Sequence, residues 1–93
     1  MKKWYVIYYY YVDGNCNPSQ EIHRFLHSTS EEDELIQNLV KCVYDHRGSN
    51  ADCLRLRNVL QLNDDGTKEE ILQGPIGSKI NHAFNECWKK FNN

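Results

Sequence analysis

Hydrophobic residues open the chain in one unbroken run. Residues 4–12 are all aromatic or β-branched, and these residue types fit a pleated strand that is packed on both sides. The same types lose rotamer freedom against the preceding turn of a helix. Asp13, Gly14 and Asn15 then end the run with turn residues. The pattern predicts a central β-strand.

The next apolar positions, within residues 20–27, fit two structures. Ile22, Phe25 and Leu26 suit one face of a helix, whereas alternation of Ile22, Arg24 and Leu26 suits a strand. We favour a strand because the run is short and lies between a loop and a helix start. It is expected to pair antiparallel with the first strand, and a helix is the alternative.

Two later segments have helical spacing. Thr29 with Glu32, or Ser28 with Glu31, forms a capping box at the start of the first. An apolar stripe follows at Leu35, Ile36, Leu39, Val40 and Val43. The second segment is preceded by Ser78, and its apolar face is Ile80, Phe84, Cys87, Trp88 and Phe91. These patterns predict helices near residues 30–46 and 78–91.

Between the predicted helices the period changes to two. Leucines at positions 54, 56, 60 and 62 alternate with Arg55, Arg57 and other residues, which is typical of a half-buried strand. Residues 63–67 contain Asp-Gly and predict a hairpin turn. Residues 68–73 then return as a short, charged edge strand.

These elements define an α+β fold in a single domain over residues 1–93. The expected order is ββαββα, with a four-stranded antiparallel sheet and two helices on one face. The ββα order occurs twice, at residues 3–47 and 53–91, which suggests a pseudo-repeat. The predicted common core is Leu39, Val40, Leu56, Leu60, Phe84 and Trp88.

Composition narrows the class of protein. The 93 residues include 40% hydrophobic and 26% charged residues with a formal net charge of −2, so no overall basic field favours nucleic acid. No stretch approaches the roughly 20 apolar residues of a membrane span, and the Lys2-Lys3 start lacks a cleavage site after it. We expect a cytosolic protein with reduced thiols at Cys16, Cys42, Cys53 and Cys87.

Candidate chemical sites in the sequence are weak. The nearest metal-ligand groupings are Cys16 with His23 and His27, Cys42 with His46, and His82 with Cys87. None has the paired C-x₂₋₄-C spacing of a structural zinc site, so we expect no metal and no cofactor. The chain also lacks a nucleophile elbow, a phosphate-binding glycine loop and H-E-x-x-H. We therefore expect no enzyme activity.

The outer face of the sheet is the best functional candidate. If Trp4, Val6, Tyr8, Tyr10 and Val12 pack on the helices, the other side of the first strand faces outward. The predicted binding residues are then Tyr5, Ile7, Tyr9, Tyr11, Arg55 and Arg57. Tyrosine and arginine are enriched at binding hot spots. The expected function is a non-enzymatic protein-binding module that inhibits or masks a larger protein, for example a nucleic-acid enzyme.

Two alternatives stay open. The same aromatic and arginine face would suit a module that stacks the bases of single-stranded nucleic acid, and a small enzyme is the second alternative. In size, mild acidity and lack of catalytic motifs, the chain is similar to small phage-encoded anti-defence inhibitors and bacterial immunity proteins. This similarity is one of kind and implies a cytoplasmic inhibitor without a catalytic site.

Overall fold

The described part of the chain forms four strands and two α-helices. The structure is a computed structural model, which describes the backbone of residues 2–44 and 53–92 and the side chains there except those of residues 53 and 87–92. The elements in this part are β1 (Lys2–Val12), β2 (Ile22–Thr29), α1 (Glu32–Tyr44), β3 (Cys53–Leu62), β4 (Lys68–Glu70) and α2 (Gly77–Asn92). A 3₁₀ turn, Ile71–Gln73, lies between β4 and α2.

In the described residues, the sheet has four antiparallel strands in the order β2-β1-β3-β4. The predicted α+β fold and its ββαββα order are confirmed. β2 pairs with β1 from Ile22 to Thr29, so the strand interpretation of this segment is correct and the helical alternative is wrong. β2 and β3 run parallel on either side of β1, with α1 connecting them.

The start of α1 is fixed by a carboxylate. Both side-chain oxygens of Glu31 accept hydrogen bonds from the first turn, from the N–H of Asp33 at 3.3 Å and of Glu34 at 3.0 Å. Thr29 instead accepts a bond from the N–H of Glu31. The predicted capping boxes are therefore replaced by a Glu31 cap, where the negative charge also complements the helix dipole. The predicted end of this helix at residue 46 lies outside the described residues.

Two turns hold the hairpins. In the β1–β2 connection, Asp13 Oδ1 accepts bonds from the N–H groups of Asn15 and Asn17, both at 2.9 Å, and Cys16 has a φ of 64°. In the β3–β4 hairpin, Gly66 has a φ of 88°, as the predicted Asp-Gly turn requires. β4 is shorter than expected because the chain leaves the sheet at Ile71, which is buried.

The core lies between the sheet and the two helices. Tyr5, Ile7 and Tyr9 of β1 belong to this core and are almost completely buried. The helices and the other strands supply Leu35, Leu39, Val43, Tyr44, Leu54, Val59, Ile71, Ile80 and Phe84. Of the predicted core, Leu39 and Phe84 are buried, while Val40 and Leu56 pack partly against it. The side chain of Trp88 lies outside the described part.

The other side of the sheet is turned away from the helices, and we call it the open face. By register and alternation, it carries Lys2, Trp4, Val6, Tyr8, Tyr10 and Val12 of β1, His23, Phe25 and His27 of β2, Arg55, Asn58, Leu60 and Leu62 of β3, and Lys68 and Glu70 of β4.

A β-bulge at Arg57 sets the faces of β3. Tyr8 pairs with Asn58, but the next residue, Tyr9, pairs with Leu56, so Arg57 is an extra residue that shifts the alternation. Before the bulge the odd-numbered residue Arg55 lies on the open face, whereas after it the even-numbered residues Asn58, Leu60 and Leu62 do. Leu60, predicted to lie in the core, is instead directly opposite Val6 on the open face.

Candidate binding face

Aromatic rings line the open face where β1 meets β2. Trp4 pairs with His27 across the two strands, and their rings stack with centroids 4.7 Å apart and planes inclined by 17°. The side chain of Trp4 is nevertheless 50% exposed and that of Phe25 is 60% exposed. Large apolar rings that stay accessible within one contiguous surface are typical of interaction sites.

His23 joins Phe25 to the tyrosines of β1. Its ring meets Phe25 edge-on at a centroid distance of 5.9 Å and lies 6.0 Å from the ring of Tyr8. These contacts orient the rings against one another, so the surface is a set of positioned rings. Rigid aromatic side chains lose little conformational entropy when a partner covers them.

Arg57 separates two hollows beside the aromatic rings. Its guanidinium forms an ion pair with Glu21, with Nη1 and Oε2 3.0 Å apart, although the arginine side chain is 67% exposed. One hollow of about 580 Å³ is lined by Tyr10, Pro18, Ser19, Glu21, Leu56 and Arg57. The other, of about 250 Å³, is lined by Tyr8, Glu21, Arg57, Asn58 and Leu60. An exposed ion pair of this kind contributes little to stability, so its guanidinium is available to a partner.

Charge on the open face differs in sign from that of the whole chain. Four formal cations lie on it or at its margin, namely Lys2, Arg55, Arg57 and Lys68. Two carboxylates lie near them, those of Glu21 and Glu70. The chain as a whole has a net charge of −2. Acidic residues cluster elsewhere, at the start of α1.

Most of the predicted binding residues lie in the core or against it. Tyr5, Ile7 and Tyr9 face the helices and are buried, and Tyr11 packs against the same cluster. Their expected outward orientation is therefore wrong. The alternation of β1 did not decide between its faces because both sets of alternate residues are aromatic or aliphatic.

Polar partners allow tyrosine to occupy the helix side. The hydroxyl of Tyr9 accepts a hydrogen bond from Arg24 Nε at 3.2 Å, and the hydroxyl of Tyr5 points to Gln61 Oε1 at 3.5 Å. Burial raises the pKa of Tyr5 above its ordinary value. The hydroxyl groups thus lie at the margin of the core while the rings fill it.

The remaining predicted residues lie at the surface. Arg55 and Arg57 are exposed, and their binding role stays a prediction. The sequence reasoning missed Trp4, Phe25 and the two histidines, although the odd positions 23, 25 and 27 already formed a ring-bearing set in β2. That signal is weak because Ile22 and Leu26 form a competing apolar set in the same strand.

The candidate metal ligands do not converge where the structure describes them. Within residues 2–44 and 54–86, no group of three His, Cys, Asp or Glu side chains is arranged to hold a metal ion. Cys16 is exposed and Cys42 is half-buried, and neither belongs to a disulfide bond. His46 and the side chains of Cys53 and Cys87 lie outside this part.

Comparisons with known proteins identified no relative of this chain. In the described residues, no helix combines the length and the apolar character needed to cross a membrane. Searches of protein-family models, curated proteins and solved structures found no match to this chain.

Proposed function

We propose that the protein is a non-enzymatic protein-binding module and that the open face is its interface. The observation that carries this proposal is the accessible pair of large rings, Trp4 and Phe25, on a sheet face that carries positioned aromatic neighbours. Burial of such rings by a partner removes apolar surface from water, which is the main driving force of association.

The composition of the open face fits a protein interface. Aromatic and aliphatic side chains, including Val6, Leu60 and Leu62, occupy the strands in its middle. Arg55 and Lys68 lie closer to the β3–β4 side. Protein interfaces commonly combine an apolar, aromatic centre with a polar margin in which arginine is frequent.

The charges on this face favour a partner with an acidic margin. The acidic residues Glu32, Asp33 and Glu34 lie in the first turn of α1 and not on the open face. The cations beside the rings would instead meet carboxylates and increase the association rate. We propose an inhibitor or masking protein of the anti-defence or immunity type, acting in the cytosol on a larger protein.

Single-stranded nucleic acid is the second candidate ligand. The observation that favours it is the stacked Trp4–His27 pair, because a base could extend the stack on the accessible side of the indole. Phosphate groups would be bound by the same lysines and arginines. The aliphatic centre of the face and the acidic chain as a whole support the protein partner more strongly.

Affinity capture from the native host, with matched variants, tests the proposal. Wild-type protein is compared with a Trp4→Ala, Arg55→Glu double variant and with a control carrying Gln37→Ala and Lys41→Glu on the exposed side of α1. We expect one protein in near-stoichiometric yield with the wild type and the control, and loss of it with the open-face variant. Circular dichroism verifies that both variants fold.

The eluate also separates the two candidate ligands. Its absorbance ratio at 260 and 280 nm reports nucleic acid, and a steep loss of binding with added salt would support phosphate contacts. Nucleic acid without protein in the eluate favours the second candidate. Undiminished capture by the folded open-face variant would remove this face as the interface.

A further inference from the structure

The two edges of the sheet are protected very differently. β4, at one edge, has only three residues, Lys68–Glu70, and all of them are charged and exposed. Short, charged edge strands resist pairing with other strands. β2, at the other edge of the described sheet, has eight residues, Ile22–Thr29, and pairs with β1 without a register shift.

The sequence of β2 contains little that prevents strand pairing. It has no proline and no lysine, and Arg24 is its one formally charged residue. That arginine is directed toward β1, since its Nε donates a hydrogen bond to the hydroxyl of Tyr9. The exposed side chains along the strand are His23, Phe25 and His27. Alternate N–H and C=O groups of an end strand point away from the sheet and can pair with another strand.

We propose that β2 pairs antiparallel with β2 of a second copy of this chain, about a two-fold axis at Phe25. This register places Phe25 opposite Phe25 of the second copy and His23 opposite its His27. Arg24 then lies opposite Leu26. Two kinds of opposed pair are therefore aromatic, and Arg24 meets an apolar residue and not a second arginine. Cross-strand aromatic pairs stabilise a sheet.

The two neighbouring two-fold registers are less favourable. An axis at Arg24 would place two guanidinium groups directly opposite each other, which destabilises strand pairing. An axis at Leu26 would leave each Phe25 opposite a histidine instead of a second phenylalanine. The axis at Phe25 buries the most exposed large apolar residue of the described chain against its own copy.

The resulting dimer has one continuous eight-stranded sheet, and the open faces of the two copies lie side by side. Such an interface is self-complementary, as a two-fold axis requires. Because pairing one strand buries much less than the ~1,600 Å² of a standard interface, we expect a weak dimer that dissociates on dilution. The dimer uses the edge of the sheet and covers Phe25, which is also one of the two accessible rings of the proposed interface. Trp4 and Arg55 lie on β1 and β3, away from this edge, so variants at these positions separate the two proposals.

Sedimentation equilibrium over a range of concentrations tests the association. We expect a reversible monomer–dimer equilibrium for the wild type and a monomer for Phe25→Lys, in which a charge is placed at the axis. Arg55→Glu, on β3, should keep the dimer while weakening capture of a protein partner. The two proposals can therefore fail separately. A wild-type protein that is monomeric at every concentration would overturn the dimer.

A cysteine scan tests the register. Directly opposed residues in an antiparallel pair have Cα atoms about 4.5–5.5 Å apart, which is within the usual disulfide range of about 4.4–6.8 Å. Phe25→Cys, treated with oxidised glutathione as the oxidant, should therefore form a covalent dimer rapidly. Trp4→Cys, on the same face but one strand from the edge, is the matched control, and the wild type corrects for its four native cysteines. Equal cross-linking of all three proteins would contradict the axis at Phe25.

Discussion

Trp4 and His27 lie directly opposite each other on β1 and β2, and their rings stack with centroids 4.7 Å apart. An aromatic pair of this kind contributes about 0.5–1.5 kcal/mol beyond its buried area. We therefore expect a coupling free energy of about this size in a double-mutant cycle of Trp4→Ala and His27→Ala, measured by denaturant unfolding. A cycle of Trp4→Ala with His23→Ala, which share no ring contact, serves as the control and should give almost none. Equal coupling in the two cycles would contradict the stack.

The orientation of β1 predicts that substitutions at two neighbouring tyrosines destabilise the fold to different extents. Tyr9 is 1% exposed in the core, whereas Tyr10 is half-buried on the open face. Tyr9→Ala should lower the free energy of unfolding by about 3–5 kcal/mol, as expected for a large buried aromatic residue. Tyr10→Ala should have a clearly smaller effect. Chemical denaturation of both variants measures this, and the reverse order would place the core on the other side of the sheet.

Backbone conformation predicts different effects at two glycines. Gly66 has a φ of 88° and open space where a Cβ would lie, so Gly66→Ala should cost about 1–2 kcal/mol through backbone strain alone. Gly14 also has open space around it but no positive φ. Gly14→Ala is thus a matched control, and it should change stability by less than about 0.5 kcal/mol. Thermal unfolding compares the two.

Cys16 offers the converse test. It is a non-glycine residue with a φ of 64°, a conformation that is strained for most L-residues. Cys16→Gly should stabilise the protein, by up to about 1 kcal/mol after the greater freedom of glycine in the unfolded chain is counted. A lower melting temperature for this variant would show that the thiol makes a contact that outweighs the strain.

Two turn aspartates predict how stability changes in acid. Backbone N–H donors from Asn17 and Asn15 lower the pKa of Asp13, and the side-chain and backbone donors of Thr67 lower the pKa of Asp65. A carboxyl group whose pKa is lower in the folded state stabilises the fold above its unfolded pKa. This contribution is lost as the pH falls through the folded pKa.

Asparagine variants isolate that contribution. Asp13→Asn and Asp65→Asn keep a side-chain oxygen that accepts hydrogen bonds but no longer titrate. The acid-induced loss of stability should be smaller in each variant than in the wild type, and smallest in the double variant. Urea unfolding from neutral pH down to below pH 3 measures it, since unperturbed aspartate titrates near 3.9. Identical pH profiles for all four proteins would contradict the role of these hydrogen bonds.

Element types were readable from the sequence because each depends on local patterns. The aromatic run of β1, the stripe of α1 and the Asp-Gly turn at Gly66 all agree with the structure. The facing of β1 was not readable, because its two alternate sets of residues are equally hydrophobic. It is decided by contacts far along the chain, such as the hydrogen bond from Arg24 to Tyr9.

The candidate interface depended on that orientation and was therefore misplaced. The position of Leu60 was lost for a related reason. Nothing in the sequence from Leu54 to Leu62 marks the bulge at Arg57, which is visible only in the pairing of β3 with β1. Local pattern thus identified the strand but not the face of its second half.

The extra residue at Arg57 also determines how this surface can be engineered. A combinatorial library for the open face must vary positions 55, 58, 60 and 62 of β3, because they share one side despite their unequal spacing. A library built on every second residue from 55 would enter the core at Val59, which is fully buried. Deleting Arg57 would leave the pairing of β3 with β1 continuous, because Leu56 already lies opposite Tyr9 and Asn58 opposite Tyr8. The residues on either side would keep their faces, and the open-face positions would then fall on every second residue. The bulge thus sets the spacing of the surface positions along β3, whereas the pairing with β1 sets the side of the sheet on which each of them lies.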